Sequence, residues 1–120
     1  MTDATTLHRQ VHPNWVFDNM PSSQAFRPTT KDKNKLSVYD GDQITAKDSW
    51  THFTEIKKLI SVGVVCLTVN ECQALALPVV PGAATFKEHV LIDMTSLSNN
   101  RIRSISELLR DKANSRGWQY

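Results

Sequence analysis

At 120 residues the chain has the size of one domain and is too short for two ordinary cores, yet long enough to build a core without disulfide or metal staples. Its 40% hydrophobic and 22% charged content is that of a globular protein, and a formal charge of +2 gives no argument for nucleic-acid binding beyond a local basic patch. The longest apolar run, Leu59 to Val69, is broken by Ser61, Gly63 and Thr68 and falls far short of the roughly 20 residues that span a bilayer, so no membrane association is expected.

The opening MTDATTLHRQ has no cationic segment followed by an apolar one, so a secretory signal is not expected and a cytoplasmic location is. Residues 1–6 carry no apolar periodicity and read as a loose N-terminus before a single domain over 7–120. Leu7 to His12 alternates apolar and polar residues until Pro13, which predicts a short strand. On that strand Leu7, Arg9 and Val11 share one face, and His8, Gln10 and His12 the other. If the apolar pair faces inward, Arg9 goes with it. A buried guanidinium needs a carboxylate such as Asp93 or Glu88, a ring of carbonyls, or a bound anion such as a phosphate. His8 and His12 have the spacing of a metal pair, but no third ligand lies near them, so no metal site is expected.

Ser22 to Arg27 and Lys35 to Tyr39 are two further strand candidates, separated by the polar, turn-rich PTTKDKNK. Ser22 and Ser23 then point opposite ways. Neither has the GxSxG or SxxK context of an activated nucleophile, which leaves a structural role after Pro21 or contact with a ligand's phosphate or ribose. Ser37, inside the next strand, can join them. Asp40-Gly41-Asp42 turns the chain, and Thr45 with Asp48 three residues on marks the start of a helix over about 46–59, with Trp50, Phe53, Ile56 and Ile60 as its apolar stripe.

SVGVVCLTV, 61–69, is β-branched and apolar on both faces, which predicts a central strand covered on both sides. Asn70 is placed to cap a short helix that Pro78 ends. VVPGAATFKE reads as a loop with a brief extended piece at Val79 and Val80, and HVLIDM, 89–94, as a strand. His89 and Asp93 share a face there, but four strand residues span about 13 Å, so any base role for His89 needs a partner from elsewhere. The last helix, about 99–116, buries Ile102, Ile105, Leu109 and Ala113, laces Arg103, Glu107 and Arg110 outside, and stops at Gly117. Trp118 and Tyr120 are expected to fold back onto the body. Cys66 and Cys72 match neither a zinc knuckle nor a redox pair and read as small core residues. The sum is an α+β domain: a five-stranded, mixed, partly antiparallel sheet with two main helices, about 46–59 and 99–116, packed on it.

Leu7-x-Arg9 with Pro13, then SSQAF at 22–26, LSV at 36–38, LPVVP at 77–81 and EHV at 88–90 resemble a set of small bacterial proteins with an Arg-x-x-x-Pro opening, a Ser-Ser-x-x-Phe strand, a Ser-Val strand and a late His. The resemblance runs from Leu7 to about Asp93 and implies a coherent domain without implying a reaction. A fainter likeness is to ADP-ribosyltransferases, which pair an early Arg or His strand with a Ser-containing strand and a late acid or polar residue. It would use Arg9, then Ser22 or Ser23, then Glu88 or His89; the Glu-x-Glu type motif is absent.

Two readings of function follow, and the sequence leaves open whether the protein is an enzyme. The first is a noncatalytic interaction or accessory module, of the immunity type or encoded with a larger bacterial protein partner. It takes precedence because no motif is a specific catalytic signature, and it predicts dispersed polar residues with Trp15, Phe17, Trp118 or Tyr120 in an exposed patch. The second is a small enzyme or effector, ADP-ribosyltransferase-like or nuclease-like, acting on a nucleotide, NAD or RNA. There Arg9, Ser22 and Ser37 bind the ligand, Ser23 and His89 do the chemistry, and these residues converge in a cleft. No bound cofactor is expected in either.

Overall fold

The computed structural model describes residues 1–28, 33–82 and 86–120. Parts of the loops expected at 28–35 and 79–88 therefore lie outside the described residues. In chain order the strands are β1 (Thr6–Val11), β2 (Val16–Phe17), β3 (Met20–Pro21), β4 (Lys35–Asp40), β5 (Gly63–Thr68), β6 (Val79–Pro81) and β7 (His89–Asp93). The α-helices are α1 (Ala46–Thr51), α2 (Val69–Ala74) and α3 (Asn99–Arg116), and single 3₁₀ turns cover Pro13–Trp15 and Ser23–Phe26.

Among the described residues, five strands form one sheet in the order β5-β1-β4-β7-β6, and β2 and β3 form a separate hairpin. Every neighbouring pair in the large sheet is antiparallel, so the expected mixed sheet is corrected on that point. The topology supplies the reason. β4 and β5 run the same way and flank α1 in the chain, but β1 lies between them, so no two neighbours are parallel.

One face of the sheet carries Leu7, Val11, Leu36, Val38, Val65, Leu67, Val90 and Ile92, all buried in a single apolar cluster. The stripe expected on α3 closes it: Ile102, Ile105, Leu109 and Ala113 are buried, Ser98 caps the helix N-terminus, and Gly117 ends it at φ 80°. The opposite face carries His8, Gln10, Ser37, Tyr39 and His89, with α1 on its β1 side, where the Gln10 amide donates to Ser49 Oγ at 2.9 Å. Cys66 and Cys72 are free and buried; burial, followed by the nearby Glu71 charge, pushes the Cys72 thiol up to about 12.

Several expectations are corrected. Within SVGVVCLTV the strand is β5, which lies at the edge of the sheet, yet Gly63 to Leu67 are buried, because the tail after α3 runs along them and the Gln119 amide donates to the Val64 carbonyl at 2.7 Å. Trp118 folds back onto the core, its indole donating to the Asn19 carbonyl at 2.9 Å, while Tyr120 rests against Trp50. Ser22 to Arg27 is a 3₁₀ turn and not a strand. Ala25 and Phe26 are buried there, and the fifth strand of the sheet is β6 instead. The helix that starts at Thr45, whose hydroxyl accepts from the Asp48 amide at 3.1 Å, is α-helical only to Thr51 and continues as a π turn over His52–Ile56. Two threonine hydroxyls take up carbonyls of the helix, Thr51 on Lys47 and Thr54 on Trp50, and Lys58 at φ 59° then stops it. Ile56 and Ile60, expected in its buried stripe, are 69% and 63% exposed.

The short helix α2 is capped by Thr68, with Glu71 completing a capping box, and not by Asn70. Arg110 pairs with its neighbour Asp111 at 3.0 Å instead of Glu107, and Arg116 makes a two-bond pair with Glu71 at 2.8 and 2.7 Å. The N-terminal segment expected to be loose is tied in at its end: Thr5 is buried and its hydroxyl donates to Asp42 at 2.6 Å. The hairpin of β2 and β3 was not expected. Its turn residues Asp18 and Asn19 stand at φ 51° and 64°, the double left-handed turn that short Asp/Asn side chains tolerate.

Candidate functional site

The register of β4 and β7 builds the centre of the site. Tyr39 lies opposite His89 and Ser37 opposite Leu91, so Ser37 and His89 are diagonal neighbours on the same face. An imidazole is long enough to cover a diagonal that aliphatic side chains leave open. His89 Nε2 lies 2.6 Å from Ser37 Oγ. That is the separation at which an imidazole takes a hydroxyl proton or returns one. A Cβ on Gly82 would collide with the His89 ring, so the glycine lets the β6 side of the sheet press directly against the imidazole.

Behind the pair stands an aromatic cluster. The Phe86 ring lies 5.0 Å from His89, 5.3 Å from Tyr39 and 4.5 Å from His52. Burial, with Glu88 nearby, pushes the Tyr39 phenol well above its ordinary range, so it keeps its proton at neutral pH. Its oxygen lies 2.8 Å from His52 Nδ1, which is thus placed to accept that proton in a hydrogen bond.

Arg9 enters from β1. Its neighbours Leu7 and Val11 are fully buried, as the alternation predicts, and the guanidinium meets carbonyls. β1 and β4 pair at Leu7–Asp40 and His8–Tyr39. Beyond that register Arg9 spans between the strands: Nε donates to the Ala25 carbonyl at 2.7 Å and Nη1 to the Ser37 carbonyl at 2.9 Å. The same group lies 5.2 Å from the centre of the Trp15 ring. Arg9 therefore holds the backbone of the residue whose hydroxyl faces His89. Carbonyls, one of the partner types weighed from the sequence, are thus among those Arg9 uses, while Asp93 accepts from the amide and hydroxyl of Thr95.

These residues open onto a cleft of about 390 Å³ whose polar lining is Arg9, Lys35, Ser37, Lys57 and His89, with Trp15, Phe53, Leu59 and Leu91 as apolar walls. Lys57 Nζ lies 5.2 Å from the centre of the Phe86 ring, which holds the ammonium at the rim. A second hollow of about 380 Å³ shares the Trp15 wall and contains Ser22, Ser23, Gln24 and Arg27. A third hollow, of about 440 Å³, is lined by Pro13, Val16, Asn19, Val62 and Trp118 and offers no titratable group for chemistry.

No family model, curated protein or solved structure matches this chain.

Arg9, Ser37 and His89 come together from three strands. Ser22 and Ser23 stand on the far side of Trp15, where Ser23 Oγ accepts from Arg27 Nη2 at 3.0 Å. The hydroxyl that His89 meets is thus that of Ser37 and not Ser23. The two early histidines are separated in role: buried His8 places Nε2 3.1 Å from the Ile44 carbonyl, and His12 Nδ1 accepts from the Asn14 amide at 3.0 Å. Lys35 and Lys57 were not singled out from the sequence, and Trp15 and Phe53 were named there as an exposed-patch residue and a helix-stripe residue, not as walls of a site. Lys35 was accessible to such reasoning, since it shares a β4 face with Ser37 at the two-residue period. Lys57 was not, because its position follows from the π turn that precedes it.

Proposed function

We propose that this protein is a small enzyme or effector that binds a nucleotide-type phosphate ligand in the cleft of Arg9, Lys35 and Lys57 and acts on it with His89. The observation that carries this reading is the convergence of Arg9, Ser37 and His89, drawn from three strands, with two lysines and two aromatic walls around one concave space. Lys35 and Lys57 offset phosphate charge, and Trp15 and Phe53 offer flat faces to a base or nicotinamide. His89 accepts the proton of the hydroxyl in front of it, that of Ser37 or of a ligand hydroxyl in its place, in a phosphoryl or glycosyl transfer. A reducing, cytoplasmic setting suits the free thiols of Cys66 and Cys72.

A thermal-shift screen against NAD, mononucleotides and short RNA tests this. A bound ligand at about 100 times its Kd stabilises by about 2.7 kcal/mol, a shift of several degrees. The shift should vanish in Lys57→Ala, whose lysine is exposed and carries little of the fold, and persist in His89→Asn with turnover lost. A flat response to every ligand would reject the reading.

One observation favours the accessory-module alternative. Ile56, Leu59, Ile60 and Val62 are 69%, 46%, 63% and 52% exposed within one short segment, a larger apolar surface than a lone side chain presents. In that reading a bacterial partner protein covers the segment, and Ile60→Asp would abolish copurification of the partner while leaving the thermal-shift profile unchanged.

A further inference from the structure

The nucleotide reading leaves the second hollow unused, although its lining is of the same kind. Both hollows end on Trp15, so one wall separates two spaces of about 390 and 380 Å³. Each by itself lies near the lower bound of the roughly 300–1,000 Å³ typical of small-molecule sites, and the two together lie well inside that range. The Arg9 guanidinium lies 5.2 Å from the Trp15 ring centre and the tilted His12 ring lies 5.7 Å from it.

The second space repeats the composition of the first. Arg27 supplies a cation whose position is set by Ser23 Oγ at 3.0 Å, and Ser22 and Gln24 supply polar side chains suited to sugar hydroxyls. The Ser22 hydroxyl makes no capping bond to the turn that begins after it. Phe17 stands at the edge of this hollow with 75% of its surface exposed, an aromatic face that the hairpin of β2 and β3 holds out without covering. Cations along a backbone path with an aromatic face on each side are what a ligand with two stacked bases requires.

We propose that the two hollows are subsites of one ligand, and that this ligand carries two nucleosides joined through phosphate. One nucleoside lies beside Ser37 and His89, the phosphate link passes Trp15 near Arg9, and the second nucleoside stacks on Phe17 beside Ser22 and Arg27. The proposal rests on the nucleotide reading above and specifies its substrate class. The link can be the 5′–5′ pyrophosphate of NAD or the 3′–5′ phosphodiester of an RNA strand, since both present two bases and phosphate between them.

Calorimetric titration of AMP, NAD and the dinucleoside phosphate ApA against the wild-type chain, Phe17→Ala and Lys57→Ala tests it. At least one of NAD and ApA should bind ten times or more tighter than AMP, and which one does so identifies the link. Phe17→Ala should remove that advantage and leave AMP binding as it was, whereas Lys57→Ala should weaken all three ligands. Equal affinity for AMP and both two-base ligands, with Phe17→Ala silent, would overturn the second subsite and leave the nucleotide site standing. Binding of none of the three would overturn both.

Discussion

The guanidinium of Arg9 joins the sheet to the Ser23–Phe26 turn, and replacing it tests whether the site depends on that join. Arg9→Met keeps the aliphatic stem beside Trp15 and removes two charge-assisted hydrogen bonds, to the Ala25 carbonyl at 2.7 Å and the Ser37 carbonyl at 2.9 Å. Each such bond contributes about 1.5–3 kcal/mol, and the lost contact with the Trp15 ring about 0.5–1 kcal/mol more. The residue is half-buried, so water regains part of the carbonyls' demand. The expected loss is about 3 kcal/mol. With an unfolding entropy of about 2.1 cal/mol/K per residue, a chain of this length should melt about 12 °C lower. Arg9→Lys, which keeps the charge but not the planar fork, should fall between wild type and Arg9→Met. Circular dichroism melts and urea titrations of the three chains measure this, and an unchanged urea slope would show that the denatured state is the same. An Arg9→Met protein melting within about 2 °C of wild type would refute the reasoning, because the carbonyl bonds would then contribute nothing that water does not replace.

Acid should weaken the fold through His8, whose imidazole is pushed below its ordinary value by burial, against the Ile44 carbonyl and the Asp40 charge, which favour the proton. The unfolded chain takes up that proton first as pH falls, so this stability is complete above about pH 6.5 and is lost below it, by at most about 1.4 kcal/mol per pH unit until the folded form also protonates. Urea unfolding at pH 7.5 and 5.0 should show a smaller difference in His8→Gln than in wild type; equal differences would remove His8 from the account. Gly63→Ala should dislodge the C-terminal tail, because its Cβ would stand 2.9 Å from both the Trp118 ring and the Tyr120 carbonyl. Hydrogen exchange at the Gln119 amide, now bonded to Val64, should speed up by tenfold or more, and the bared edge of β5 should favour self-association in light scattering. An unchanged Gln119 rate would contradict the tail's role as edge cover.

The elements whose signals are local were legible. Thr45 and Asp48 mark the start of α1, the 3.6-residue stripe through Ile102, Ile105 and Leu109 marks α3, and Gly117 marks its stop, because capping and periodicity act within one or two turns of chain. Where local signals conflicted, reading failed. Ser22 to Arg27 looks extended by composition, but Ala25 and Phe26 are buried only when the segment closes into a turn beneath α3. The stripe through Ile56 and Ile60 satisfies helical spacing, but the helix has passed into a π turn and ended before it can bury them.

The site divides along the same line. Alternation on β1 was enough to turn Arg9 inward and to require a partner for it, since a desolvated guanidinium is costly wherever it lies. Alternation alone also put His89 on a face and showed that Asp93, four residues on, was out of its reach. Only the tertiary structure decided which groups answer those demands. Ser37 and His89 are 52 residues apart in the chain, and the register of β4 against β7 brings them within 2.6 Å. That register is set by which face of each strand must be buried, a property of the assembled sheet and not of either strand.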